Sequence, residues 1–204
     1  MKYAFFSGCV SKGGCPELYP SALEVAKRVG ITLDEQALEG AACTGAGVLQ
    51  EKDKKLGDVL NARTFAMAEK KKLAIMTICS TCQGVMSQAR YRIVNDDKYR
   101  AEINEILAEE GLKFKGDVVI KHLLWILVED VGIEKLKPLI TQPLEGLKVA
   151  PFYGCYIVRP SWALGLDDTP ERERSLETII ELVGGEPVEF SGKNKCCGFP
   201  ILTI

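Results

Sequence analysis

Lys2–Val10 reads KYAFFSGCV, and Lys148–Tyr156 reads KVAPFYGCY. Five of the nine positions are identical, and both stretches run from a short extended segment into Gly-Cys. The match equates Cys9 with Cys155. Farther along, VAKRVGITL (25–33) parallels IIELVGGEPV (179–188). Each reads as the end of an amphipathic helix, a glycine stop and a short extended run. Gly30 to Cys43 is 13 positions, as is Gly184 to Cys197, whereas Cys9 to Gly30 is 21 and Cys155 to Gly184 is 29. The extra eight positions fit the polar loop LGLDDTPERERS (164–175). A duplicated unit with an insertion confined to one loop would look like this.

The first half continues through an amphipathic helix in EKDKKLGDVLNARTFAMAEKKK (51–72), a buried parallel strand in LAIMTI (73–78), the pair Cys79 and Cys82 in CSTC, and a helix in QGVMSQARYRIV (83–94). This is a strand–loop–helix pattern repeated three times, with each cysteine in a loop after a strand. Such loops converge at the carboxyl edge of a parallel sheet, where open α/β folds place ligands. Residues 97–116 and 117–132 read as two further helices joining the halves.

The 204 residues carry 26 basic and 28 acidic side chains, for a formal charge of −2, and 47% are apolar. The balance offers no electrostatic case for nucleic acid or an anionic membrane. The longest apolar stretch, VVIKHLLWILV (118–128), contains Lys121 and His122 and is far short of the ~20 residues of a membrane span. MKYAFF does not extend into a signal peptide. A cytoplasmic location is expected, with attachment to a membrane complex only through partners. VGGEP lacks both a G-x-G-x-x-G pattern and a P-loop lysine, so it is read as a turn. His122, Trp125 and Trp162 are read as packing residues.

Eight cysteines and one histidine, without a secretion signal, point to sulfur-held metal or redox chemistry rather than structural disulfides. Adjacent Cys196 and Cys197 cannot readily pair with each other. Consecutive α-carbons are about 3.8 Å apart, below the ~4.4–6.8 Å of a disulfide. Two neighbouring thiolates crowd a single zinc, while two irons of one cluster can take one each. The loop-to-helix context of CSTC lowers a thiol pKa through helix amides.

The ordered set SGCV, AACTG, CSTC, FYGCY and CCGFP resembles the B subunit of heterodisulfide reductase and its relatives, the cysteine-rich "CCG" family. The resemblance covers essentially the whole chain. It implies two tandem Rossmann-like α/β units with parallel sheets related by a pseudo-twofold repeat. Residues 1–95 would form the first unit, 96–146 a helical connection, and 147–204 a second unit incomplete before its C-x-x-C. By the repeat spacing that next pair is expected near positions 233 and 236.

The resemblance also implies a noncubane 4Fe–4S cluster on five cysteines in a complete unit. The ligands would be Cys9, Cys43, Cys79 and Cys82 in the first unit and Cys155, Cys196 and Cys197 in the second. Position 42 is Ala where the family has a second thiol, so an ordinary 4Fe–4S or 2Fe–2S cluster or a zinc ion remains open for the first unit. Cys15 has no counterpart in the family pattern and reads as a spectator. The implied function is that of an iron–sulfur subunit reducing or forming a disulfide of thiol cofactors. Its partners would be a ferredoxin-like iron–sulfur subunit, a flavoprotein subunit and a small disulfide substrate. Two alternatives stand beside it: a non-catalytic electron-relay or assembly subunit of a respiratory complex, and a zinc-stabilised binding module.

Overall fold

Alternation along KYAFF sets the architecture. Tyr3 and Phe5 enter one core and Ala4 and Phe6 the other, as the two-residue period of a strand requires. A strand buried on both faces belongs inside a parallel sheet covered by helices. The computed structural model, which describes residues 1–198, shows this arrangement. Positions 199–204 of the expected second unit lie outside the described residues. Strands β1 (Lys2–Phe6), β2 (Thr32–Asp34), β3 (Ala74–Thr77) and β4 (Ile120–His122) form one parallel sheet in the order β2-β1-β3-β4. Strands β5 (Lys148–Val149) and β6 (Glu186–Pro187) form a second parallel sheet.

The repeat is reproduced in the strand register. Lys2 lies opposite Thr32 in the first sheet, and Lys148 opposite Glu186 in the second. The second separation is longer by the same eight residues as the loop insertion. Equivalent backbone bonds recur: Thr32 N–H donates to the Met1 carbonyl (2.8 Å) and Glu186 N–H to that of Leu147 (2.9 Å). At the helix ends, Ile31 N–H donates to Ala26 (2.8 Å) and Gly185 N–H to Ile180 (2.9 Å).

On one face of the first sheet, Ala4, Phe6 and Ile75 pack against helices Lys54–Lys70, Ser80–Val94 and Asp97–Leu107 through Phe65, Met86, Ile93 and Ile103. The Phe65 and Phe114 rings, both fully buried, lie 5.2 Å apart; removing a ring of this size from water stabilises by about 2–3 kcal/mol. On the other face, Tyr3, Phe5 and Met76 pack against Ala22 and Ala26 of helix Leu18–Arg28 and against Ile126 and Val131. Ile179 and Leu182 from helix Ser175–Leu182 join this same face, so the second unit packs directly on the first. A smaller cluster of Trp125, Tyr153, Ile157, Val158, Leu164 and Leu166 completes the junction.

Two local expectations change. Residues 117–132 do not form a helix throughout, because Ile120–His122 is the fourth strand of the first sheet. The β-branched run VVI suits a pleated surface, and the outer edge of β3 offers it partners: Ile75 N–H donates to the Val119 carbonyl at 2.8 Å. Residues 51–72 likewise divide at Asp53. Its carboxylate accepts from Leu56 N–H (2.9 Å) and starts the long helix afresh, a cap worth about 1 kcal/mol.

Candidate metal centre

Three of the cysteine loops leave the carboxyl edge of the first sheet. Strand β1 ends at Phe6 and passes through Ser7 and Gly8 to Cys9. Gly8 has φ 75°, a conformation L side chains disfavour, and an added Cβ there would lie 3.3 Å from both Cys79 Cβ and Cys82 Sγ. Only a glycine lets this strand end press against the CSTC loop. The second unit repeats the device with Gly154, at φ 71°, before Cys155. A helical turn follows each cysteine, closed by Gly13 N–H on the Cys9 carbonyl (3.1 Å) and by Arg159 N–H on the Cys155 carbonyl (2.9 Å).

Cys79 is the N-cap of helix Ser80–Val94, and its sulfur accepts from Cys82 N–H at 3.3 Å. The hydrogen-bonding Cys82 thiol brings its pKa down to about 6. Burial opposes this, while the Cys82 and Thr81 amides and the Thr81 hydroxyl assist. Cys82, only 5% exposed, is pushed the other way by Cys79 and by burial. The pair is therefore a thiolate held by a thiol. One sulfur of the motif is lowered and not both, mainly by the other sulfur and with help from the helix amides. Cys9 is exposed, and its thiol is pushed up by desolvation, then by Cys43, with a further push from Cys79. Cys43, also exposed, acts in turn on Cys82. The four sulfurs thus form one electrostatic set.

In the second unit, Cys155 is half-buried, and its thiol is raised by burial and then by the neighbouring Cys196. Cys196 Sγ accepts from Gly198 N–H at 3.4 Å. Cys197 is exposed. Cys15, exposed as well, turns its thiol to Glu17 at 3.9 Å.

The two units meet at Tyr156, next to Cys155. Its backbone and ring lie against Gly84, two residues beyond Cys82, where an added Cβ would come 2.9 Å from Tyr156 Cβ and Cδ1. Burial raises the Tyr156 pKa, and the charges of Cys155, Glu51 and Cys196 raise it further. An open cavity of about 480 Å³ lies beside the first set, lined by Gly8, Cys9, Lys12, Glu35, Glu39 and Cys43 among others.

Among the described residues, no three Cys, His, Asp or Glu side chains converge tightly enough to hold a single ion. Thr44 Oγ1, Gln83 Oε1 and His122 Nε2 are buried without a hydrogen-bond partner. Thr44 follows Cys43, Gln83 follows Cys82, and His122 lies opposite Thr77, two residues before Cys79. The unsatisfied polar atoms of the interior therefore flank the cysteine edge. Sequence reasoning did not single out Thr44, Gln83 or the Gly84–Tyr156 contact, and it read His122 as a packing residue, whose buried ring nitrogen without a partner it did not anticipate. For Thr44, Gln83 and Tyr156 the available signal was adjacency to a cysteine.

Fold and cysteine placement define a cysteine-rich parallel α/β protein built from two related units. The chain belongs to the CCG cysteine-rich domain family, whose domain matches residues 3–87 and 149–203, and within it to the family of the heterodisulfide reductase B subunits. It is 37% identical over 198 residues to the 8-methylmenaquinol:fumarate reductase membrane anchor subunit of Wolinella succinogenes, covering 97% of this chain and 67% of that protein. It is 33% identical over 200 residues to the B subunit of the ferredoxin/F420H2-dependent CoB-CoM heterodisulfide reductase of Methanosarcina acetivorans, covering 97% and 65%. A protein of Archaeoglobus profundus described as like the heterodisulfide reductase B subunit is 31% identical over 204 residues, covering 99% and 68%. The chain thus spans about two thirds of the length of these relatives. Its fold is shared with the crystal structure of a hypothetical protein from Helicobacter pylori, at TM-score 0.64 and 12% identity over 93% of this chain and 33% of that one. No helix among the described residues is long and apolar enough to cross a membrane.

Proposed function

We propose that the chain is the iron–sulfur subunit of a heterodisulfide-reductase-like oxidoreductase. It would reduce or form a disulfide of small thiol cofactors, working with a ferredoxin-like iron–sulfur subunit and a flavoprotein subunit. The observation that carries this reading is that the two cysteine-bearing units meet directly, Gly84 of the first lying against Tyr156 of the second. A disulfide presents two sulfurs, and two sulfur-rich centres on adjoining units could each receive one.

Cys9, Cys43, Cys79 and Cys82 would hold the first centre, and Cys155, Cys196 and Cys197 would contribute to the second. Four thiols carried on the segments that follow neighbouring parallel strands supply the all-sulfur donor set that an iron–sulfur cluster takes. When bound, such a group supplies one-electron chemistry. The chain's own part is to favour the thiolate of Cys79 at a helix N-terminus, to bring β1 close through Gly8, and to hold Tyr156, a neutral phenol, near Cys155 and Cys196. That phenol can donate a hydrogen bond to a departing thiolate.

Ala42 and the fumarate reductase relative favour a second reading, in which the subunit relays electrons without binding a disulfide. The two separate in one assay. With reduced viologen as electron donor, the anaerobically purified protein should consume donor only when a disulfide is added, and Cys155→Ser should abolish this. Metal content equal to the parent, with no disulfide-dependent turnover in either protein, would select the relay.

A further inference from the structure

The second cysteine set depends on two segments far apart in sequence, the turn at 153–155 and the loop at 189–197. One carboxylate joins them. Glu177 in helix Ser175–Leu182 is 2% exposed. Its Oε2 accepts from the Tyr153 hydroxyl, and its Oε1 accepts from Lys193 Nζ at 3.0 Å. Tyr153 is two residues before Cys155, and Lys193 is three before Cys196.

The surrounding bonds lock this arrangement. Leu176 N–H donates to the Tyr153 oxygen at 2.8 Å, fixing the phenol over the helix start. The Lys193 carbonyl accepts from Tyr153 N–H (2.8 Å) and Gly154 N–H (3.2 Å). Arg159 Nη2 donates to the Asn194 carbonyl at 2.6 Å. Burial works against a charged Glu177, but the Tyr153 hydroxyl, its own backbone amide and the Lys193 ammonium outweigh it and hold the carboxyl below its ordinary range.

The first unit lacks these side chains. By the repeat, Ser7, Leu23 and Glu39 stand where Tyr153, Glu177 and Lys193 stand in the second. The clamp is therefore not a general feature of the unit.

We propose that Glu177 is a positioning residue that preorganises the second cysteine set, holding the Cys155 turn against the Cys196 loop before any metal binds. This rests on the reading that these cysteines belong to a metal centre, and the test below separates the two claims. Buried carboxylates that orient ligand-bearing segments typically contribute about 10- to 100-fold to metal affinity.

The experiment uses the full metal-free chain, compared with Glu177→Gln and Tyr153→Phe. The first readout is disulfide formation between Cys155 and Cys196 with diamide, which takes up the two electrons and two protons the thiols lose. Peptide mass mapping follows this bond, with Cys79–Cys82 as the internal control. The second is Cd2+ titration in a Cys79→Ser, Cys82→Ser background, followed by the thiolate-to-cadmium charge-transfer band.

Both variants should slow Cys155–Cys196 closure while leaving Cys79–Cys82 unchanged, and Glu177→Gln should weaken cadmium binding by about tenfold or more. Unchanged Cys155–Cys196 closure in Glu177→Gln, or equal slowing of both pairs, overturns the positioning role. Selective slowing in a parent that binds no cadmium upholds the clamp and removes the metal reading of the second set.

Discussion

A methyl group on Gly84 would overlap the Tyr156 carbonyl oxygen and come within 2.9 Å of Tyr156 Cβ and Cδ1. Helix Ser80–Val94, which begins at the first unit's C-x-x-C, therefore touches the second unit's Gly-Cys turn at a position open only to glycine. Alanine normally gains up to about 1 kcal/mol over glycine inside a helix. Here the clash is with backbone and reverses the sign, so Gly84→Ala should destabilise by about 1–3 kcal/mol in urea unfolding. Gly57, in helix Lys54–Lys70, is the control, since a Cβ there meets only Leu49 Cγ at 3.9 Å. Gly57→Ala should stabilise by about 0.5–1 kcal/mol. Stabilisation in both variants would contradict the close approach.

Cys79 should be the reactive thiol of the metal-free chain. With its pKa near 6, about nine-tenths of it is thiolate at neutral pH, against a few per cent for an ordinary cysteine. Iodoacetamide labelling followed by peptide mapping should give Cys79 a rate that rises to a plateau near neutral pH, below the pH at which free glutathione, labelled alongside, levels off. Cys82 should label last. Thr81→Val removes one of the groups that favour the thiolate, so it should move the Cys79 profile upward. A Cys79 profile matching that of free glutathione would refute the capping assignment.

His122 gives a pH signature unconnected with the thiols. Its Nδ1 accepts from Leu124 N–H (3.1 Å) and its Nε2 is buried, and burial lowers its pKa to about 4. The unfolded value is about 6.5, so the unfolded chain binds the proton first. The stability this residue contributes is intact above about pH 6.5 and is lost as pH falls toward 4, by up to about 1.4 kcal/mol per pH unit. Urea melts at about pH 7.5 and about pH 5 should show a larger acid loss in the parent than in His122→Gln. Equal losses would show that the ring is protonated in the fold.

The parallel sheet and the placement of Cys9, Cys43 and Cys79 in loops after its strands were legible because their signals are local. KYAFF and LAIMTI are short apolar runs, Gly-Cys follows a strand, and C-x-x-C opens a helix. Register in the second unit followed from spacing alone, since a one-residue slip would turn every side chain to the wrong face. Strand β4 was not legible, because VVIKHLLWILV suits a buried strand and a helix equally and only the open edge of β3 decides. Glu177 escapes notice for a different reason. Its partners lie 24 and 16 residues away, and nothing in SLETIIEL distinguishes a buried carboxylate from a solvated one. The CSTC motif by itself suggests lowered thiols at both positions, whereas one sulfur bonding to the other sends the two in opposite directions.

The central claim is that the cysteines of both units hold iron–sulfur chemistry. The most direct measurement is metal and acid-labile sulfide analysis of the anaerobically purified chain, with EPR of the oxidised and reduced states, on the parent and on Cys79→Ser. The account predicts about four irons with matching sulfide per cluster, a paramagnetic signal in one redox state, and loss of the first-unit centre in Cys79→Ser. One zinc with no sulfide, or metal content unchanged by Cys79→Ser, would contradict it.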